Sequence, residues 1–398
     1  MRVCVPRKLW TALLISASGV FLLSATYMTP AQTSTSAPAP MPMPMPMPAQ
    51  SATNAAAGSA GGAHGEWTWM GGANVGVQPP VYGTVGVAAP GNGPGSRVDS
   101  ASASDAAGNF WLFGGEGTDS AGNSGMFNEL WKYSAGQWTW VSGSNVGGQP
   151  GTYGTEGVAA PGNIPGAHDA AATWFDKDGN FWLFGGIGMD RTGANNYLND
   201  LWKFSGGQWT WMGESDVNWD GLEGGKYGAK GVAAAKNAPG ARAYSVGWTD
   251  AAGNFWLFGG WGYDAKGAQG SLSDLWKFSA GKWMWMSGSD LIGQAGTYGI
   301  EGKAAAANAP PPRRDAMGWT DAAGTLWMFG GDSPEFGVFD DMWKYRAGQW
   351  TWVSGSKKAS QGECTGRGGL PPREIFRALE TMLLPGPTRR GIFGCSAG

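Results

Sequence analysis

An all-β fold, a β-propeller of radially repeated four-stranded blades, is predicted for this chain by three observations. Gly-Gly pairs begin at Gly114, Gly185, Gly259 and Gly330, spaced 71, 74 and 71 residues apart. Trp-x-Trp elements follow the same period, starting at Trp67, Trp138, Trp209, Trp283 and Trp350. Glycine (70 residues) and tryptophan (24) far exceed ordinary usage, whereas only 14% of the 398 residues are charged. Self-similarity at a fixed long period marks a repeat architecture, in which each unit buries its apolar face against its neighbours.

Each unit holds four short strand candidates, and the third shows them best. Tyr244–Thr249 reads as strand a, Phe255–Phe258 as strand b, Leu275–Phe278 as strand c and Lys282–Met286 as strand d. The strand d tryptophans alternate onto one face, as a pleat of period two requires. Gly253 and Gly281 fall at hairpin positions that need positive φ. Ahead of the first complete unit, Gly65–Met70 reads as a lone strand d. The expectation is four full four-stranded blades plus an N-terminal orphan strand. The ring stays incomplete unless further a-b-c strands follow residue 356, because closure removes sheet edges.

The residues at these positions resemble the kelch family. That family places a Gly-Gly pair at the end of strand b, Tyr or Phe on strand c and Trp on strand d. Here the sets are Gly114-Gly115 with Tyr133 and Trp138, Gly185-Gly186 with Phe204 and Trp209, Gly259-Gly260 with Phe278 and Trp283, and Gly330-Gly331 with Tyr345 and Trp350. The resemblance covers residues 65–356, and these units exceed the family's roughly 50-residue repeat through their loops. It implies a kelch-type β-propeller whose motif glycines and tryptophans belong to the core. Some kelch propellers are galactose-oxidase-like enzymes that hold copper with two histidines and tyrosines beside a Tyr–Cys cross-link. This chain has only His64 and His168, and its repeats contain no cysteine. The resemblance therefore implies the fold without the copper-radical site, and no metal or cofactor is expected.

Flanking segments have their own chemistry. Arg2, Arg7 and Lys8 precede the apolar run Leu9–Leu23, so residues 1–31 read as an export signal with cleavage after Ala25 or Ala31. A retained anchor is the alternative, although the run is short for a membrane span. Residues 32–64, with Met and Pro alternating from Met41 to Pro48, read as an extended spacer. Clustered thioethers are also Cu(I) ligands. The reading places the protein outside the cytoplasm, secreted or in the cell envelope. Cys4, Cys364 and Cys395 all lie outside the repeats, which need no disulfide. A net charge of −3 supplies no basic field for nucleic acid.

After Ser356 the pattern stops. Glu374–Leu384 has helical spacing and reads as a capping helix. A sharper reading comes from back-translating Pro371–Gly398 with permitted codons and moving the reading start to the third base. The shifted frame gives Ser-Pro-Gly-Asn-Ile-Pro-Gly-Ala-Arg-Asp and ends Trp-Thr-Asp-Ala-Ala-Gly-Asn-Phe-Trp-Leu-Phe-Gly-Gly. The in-frame repeats contain Pro161-Gly-Asn-Ile-Pro-Gly166 and Trp248-Thr-Asp-Ala-Ala-Gly-Asn-Phe-Trp-Leu-Phe-Gly-Gly260. Residues 357–398 are thus expected to be a frameshifted fifth repeat, leaving a truncated propeller.

Function is expected on the face that carries the long b–c and d–a connections, since binding residues favour loops on a rigid scaffold. Three sets of candidates recur there. Arg97, His168, Arg242 and Arg313 each precede their Gly-Gly pair by 17 residues and suit carboxylate or phosphate ligands, or tie down their own loops. Asp119, Asp190, Asp264 and Glu335 each follow the pair by four residues and suit Ca²⁺ or sugar hydroxyls, or form local turns. Tyr82, Tyr153, Tyr227 and Tyr298 suit stacking on sugar rings, or anchor the d–a loops. The expected function is non-enzymatic binding of a glycan or an extracellular protein. The competing class is a carbohydrate-active enzyme, galactose-oxidase-like or a glycosidase, the latter needing two positioned carboxylates.

Overall fold

A computed structural model describes residues 69–216 and 224–360, and the secondary structure among them is β throughout. The first blade comprises β1 (Arg97–Val98), β2 (Ala101–Ser104), β3 (Phe110–Phe113), β4 (Glu116–Thr118), β5 (Ser124–Met126), β6 (Leu130–Ser134) and β7 (Gln137–Ser142). Its main sheet runs β2-β3-β6-β7, the a-b-c-d order, and β1-β4-β5 form a small sheet beyond the glycine pair. In the second blade β8 (His168–Asp169), β9 (Ala172–Phe175), β10 (Phe181–Met189), β11 (Asn195–Ser205) and β12 (Gln208–Gly213) fuse both parts into one sheet.

The third blade repeats the first. It contains β13 (Arg242–Ala243), β14 (Val246–Thr249), β15 (Phe255–Phe258), β16 (Trp261–Tyr263), β17 (Gln269–Ser271), β18 (Leu275–Ser279) and β19 (Lys282–Ser287). The fourth has β20 (Met317–Thr320), β21 (Leu326–Phe329), β22 (Asp332–Ser333), β23 (Gly337–Val338), β24 (Met342–Arg346) and β25 (Gln349–Ser354). All neighbouring strands are antiparallel, and strands c and d share one bulge, as between Leu275 and Trp276. Four such sheets, each packed face to face on the next, are the blades of a kelch-type β-propeller.

Strand a differs from its expected extent. Tyr244 has φ 59° and breaks the strand into β13 and β14; Asp99 and Ala170 do the same at 53° and 48°, and Asp315, at 55°, separates the bridge residue Arg314 from β20. Of the lone strand expected at Gly65–Met70, only Trp69 and Met70 are described, and neither is in a strand. The signal and spacer, and the tail beyond residue 360 with the helix expected at Glu374–Leu384, lie outside the described residues.

The core lies between blades. Strand b of one blade meets the strand d tryptophan of the next: Phe113 with Trp209 at 5.5 Å, Phe184 with Trp283 at 5.2 Å and Phe258 with Trp350 at 5.5 Å. Each aromatic buried this way contributes about 4–6 kcal/mol of transfer free energy as an upper bound. The first glycine of each pair makes the approach possible. A Cβ on Gly114 would strike the His168 carbonyl oxygen, and one on Gly185 or Gly259 would sit 2.8 Å or 2.6 Å from that of Arg242 or Arg313. Backbone hydrogen bonds from Gly115 to His168 and from Gly260 to Arg313 then join the blades. Strand d also hydrogen-bonds across: the Trp209 and Trp350 indoles donate to Ser142 and Ser287 at 3.0 Å and 2.9 Å. Gly213 stands at the equivalent place in the second blade, which leaves the Trp283 indole unpaired.

Candidate binding site at the blade axis

The recurring cations and tyrosines form one buried cluster per blade. Arg242 donates to both oxygens of Asp274 at 2.7 Å and 2.8 Å, and Tyr227 and the Trp276 indole donate to Oδ2 at 2.6 Å and 2.7 Å. Its remaining donors bind the carbonyls of Gly240 and Gly259, so the guanidinium ties strand a to the end of strand b. Arg313, Asp341, Tyr298 and Trp343 repeat this arrangement. In the first blade Arg97 and Tyr82 share Glu129, whose different reach leaves the Trp131 indole without a partner.

His168 takes the cation's place in the second blade. Its Nδ1 faces the Gly166 carbonyl at 2.6 Å and its Nε2 faces Asp200 at 3.4 Å, two acceptors that together favour the imidazolium. Burial pulls its pKa down, but the Asp200 charge and these hydrogen bonds outweigh it, and the net direction is up. Tyr153 and Trp202 complete the cluster on Asp200. Burial, then the carboxylate at the hydroxyl, raises the pKa of Tyr153 and Tyr227 well above the usual phenol value.

Of the two readings of the repeated cations, ligand contacts or ties for their own loops, these contacts match the second. The Arg242, Arg313 and His168 side chains have no exposure and that of Arg97 has 4%, so none presents its charge to solvent, although the Arg97 Nε–H has no partner. The four tyrosines are likewise loop anchors, with hydroxyls bound to the same acids. The loop acids make turns. Asp119, Asp190 and Asp264 each accept backbone N–H groups two and four residues ahead. Glu335 bridges blades by accepting from Ser271 and Ser333. The unanticipated partners Glu129, Asp200, Asp274 and Asp341 had a signal in the sequence: each stands two residues before a strand c tryptophan.

The residues next to the clamps and the glycine pairs depart from the repeat. The positions after the clamp residue read Val98, Asp169, Ala243 and Arg314, then Asp99, Ala170, Tyr244 and Asp315. The first position after the glycine pair reads Glu116, Ile187, Trp261 and Asp332. The left-handed residues surround the axis, linked by backbone hydrogen bonds from Ala170 to Asp99, Tyr244 to Ala170 and Asp315 to Tyr244. That conformation is costly for a bulky side chain and is held here by these links.

Asp99, Tyr244 and Asp315 line a hollow of about 290 Å³ on the axis. Beside it, Glu116, Asn123, Asp169 and Asn195 line a cleft of about 480 Å³ between the first two blades. Asp169 is 8% exposed, and its Oδ1 has no hydrogen-bond partner. Burial, then the charges of Asp99 and Glu116, pushes its pKa up to about 6. Burial and the charges of Asp169, Asp99 and Asp315 push the Tyr244 hydroxyl up to about 12. Arg314 lies over the rings of Tyr244 and Trp261 at 5.8 Å and 5.7 Å and pairs with Asp332 at 3.4 Å. Tyr197 and Tyr263 meet edge to face at 6.1 Å on the same side. The result is an anionic mouth edged by aromatic rings. Among the described residues no three His, Cys, Asp or Glu side chains are placed to hold a metal ion.

No family model matches the chain, and no curated protein matches it. Among solved structures it is similar to YjhT, at 18% identity and a TM-score of 0.40, over 67% of this chain and 72% of that one. A protein of unknown function from Dyadobacter fermentans is 12% identical with a TM-score of 0.37, over 67% and 70% of the two chains. A fungal alcohol oxidase of the AA5 family, in complex with copper, is 11% identical with a TM-score of 0.33, over 67% of this chain and 55% of the oxidase.

Proposed function

We propose that the protein is an exported, non-catalytic binding module that recognises a neutral glycan at the axial mouth. The observation that carries this reading is Asp169, a buried carboxylate with one unpaired oxygen in a cleft also lined by Glu116, Asn123 and Asn195. Carboxylates and amides accept and donate hydrogen bonds to sugar hydroxyls, and flat rings pack on the apolar faces of pyranoses. The negative mouth repels phosphate, sulfate and carboxylate ligands. Those ligands would have suited the arginines, which are buried instead.

A second reading has one observation in its favour. An acid with its pKa raised to about 6 in the same cleft as Glu116 supplies the two carboxyl groups that a glycosidase needs. Copper chemistry of the oxidase kind does not fit the described residues, because both ring nitrogens of His168 are engaged. A glycan array probed with the full chain separates the possibilities. The proposal expects binding to neutral oligosaccharides that Trp261→Ala abolishes, with the glycans recovered unchanged. Binding confined to sulfated or sialylated glycans would overturn it, and cleaved glycans would favour the enzyme.

A further inference from the structure

The two end faces of the blade series are counterparts of faces that already pack together three times within the chain. On the leading face of the first blade Phe110 is 57% exposed, whereas its equivalents Phe181 and Phe255 are 1% and 3% exposed against the preceding blade. Trp138 is only partly buried, whereas Trp209, Trp283 and Trp350 are 1–2% exposed. An open cleft of about 780 Å³, lined by Phe110, Tyr133 and Trp138, stands beside this face. On the trailing face of the fourth blade Met317 is 61% exposed, whereas Ala101, Ala172 and Val246 at the same position are 4–6% exposed.

Polar groups on the trailing face lack the partners their equivalents have. Trp174 and Trp248 donate their indole N–H to the next blade's Trp256 and Trp327 carbonyls at 3.3 Å and 2.8 Å, but Trp319 Nε1 is unpaired. Ser142 and Ser287 accept from the next blade's tryptophan, but the Oγ of Ser354, 7% exposed, has no partner. A Cβ on Gly330 would meet nothing closer than 3.4 Å, although its equivalents are filled by the next blade's carbonyl oxygen.

The leading face carries the matching groups. Trp138 is the counterpart of the indoles that reach Ser142 and Ser287, the Trp111 carbonyl of those that accept from Trp174 and Trp248, and the Arg97 carbonyl of those that fill the glycine gap. We infer that these faces dock head to tail, the fourth blade of one copy receiving the first blade of a second copy. Such a contact is heterologous: each copy offers one face of each kind. The inference is independent of the glycan reading, since neither face contains the axial mouth.

Sedimentation of the full chain across a concentration series tests it, using Phe110→Asp on one face and Met317→Asp on the other. Both sites are exposed, and far-ultraviolet dichroism and tryptophan fluorescence confirm that the variants fold. The wild type should rise with concentration to at least twice the 41.4 kDa of one chain. Each variant alone should stay at the mass of one chain, because every contact needs both faces. An equimolar mixture should recover a dimer, since one variant retains the trailing face and the other the leading face. A wild type that stays at the mass of one chain overturns the inference. So does association that survives either substitution, as a like-with-like contact or one elsewhere would give.

Discussion

An Asp274→Asn substitution removes one charge from a cluster with no access to water. The Arg242 and Asp274 side chains are both fully buried, and the guanidinium cannot shed its proton. The substituted amide turns N–H groups toward a donor that needs acceptors. Breaking one partner of a buried ion pair costs about 3–5 kcal/mol. For a propeller of this size that lowers the melting temperature by on the order of 10 °C. Asp200→Asn in the second blade should cost less than half as much, because His168 can become neutral and is held at only 3.4 Å. The two also differ in pH dependence. The pKa of His168 is raised by folding, so its contribution is complete below the ordinary value of 6.5 and is lost as pH rises through the folded value. Asp200→Asn should therefore erase a decline in stability, setting in above pH 6.5, that Asp274→Asn leaves intact. Urea and thermal unfolding, followed by tryptophan fluorescence at several pH values, measure both. A loss in Asp274→Asn no larger than in Asp200→Asn at pH 8 would refute the reasoning.

Gly259→Ala should destabilise at least twice as much as Gly330→Ala. The new Cβ at 259 meets the Arg313 and Leu272 carbonyls at 2.6 Å and 3.0 Å and pushes blades apart, whereas at 330 little more than the left-handed backbone cost of about 1–2 kcal/mol remains. Equal losses in urea unfolding would contradict the account of the glycine pair. Asp169→Asn should stabilise the fold at pH 7 while weakening ligand binding. The rise from 3.8 to about 6 means that ionised Asp169 opposes folding by about 3 kcal/mol, at about 1.4 kcal/mol per tenfold change in the proton equilibrium. That penalty grows between pH 3.8 and about 6 in the wild type and should be missing from the variant, as melts across the window will show.

The blades were legible because their signals are local and repeated four times. Phe255–Phe258 is a strand by its residues alone, and the turn after it needs its glycines whatever the neighbours are. The interior break at Tyr244 was not legible, since its left-handed backbone is set by hydrogen bonds to the adjacent blades. The site was only partly legible. Residues repeated at one spacing, such as Arg242 and Tyr227, read equally as ligand contacts or as loop anchors, and it is their shared bonding to Asp274 that makes them parts of the blade's own clamp. Asp169, Tyr244, Trp261 and Arg314 differ from blade to blade, and that departure was the available signal. Their meeting at the axis depends on how the blades are arranged, which no single repeat encodes.

The account's central claim is that repeated residues hold the blades while departing residues bind. One set of variants, Asp169→Asn and Trp261→Ala against Asp264→Ala and Tyr227→Phe, tests it by calorimetric titration with an oligosaccharide taken from the array. The account predicts that the first pair weakens binding at least about tenfold, roughly 1.4 kcal/mol, in a protein that melts no lower. The second pair should melt lower yet bind with unchanged affinity. Loss of binding in the second pair with the first pair unaffected would contradict it.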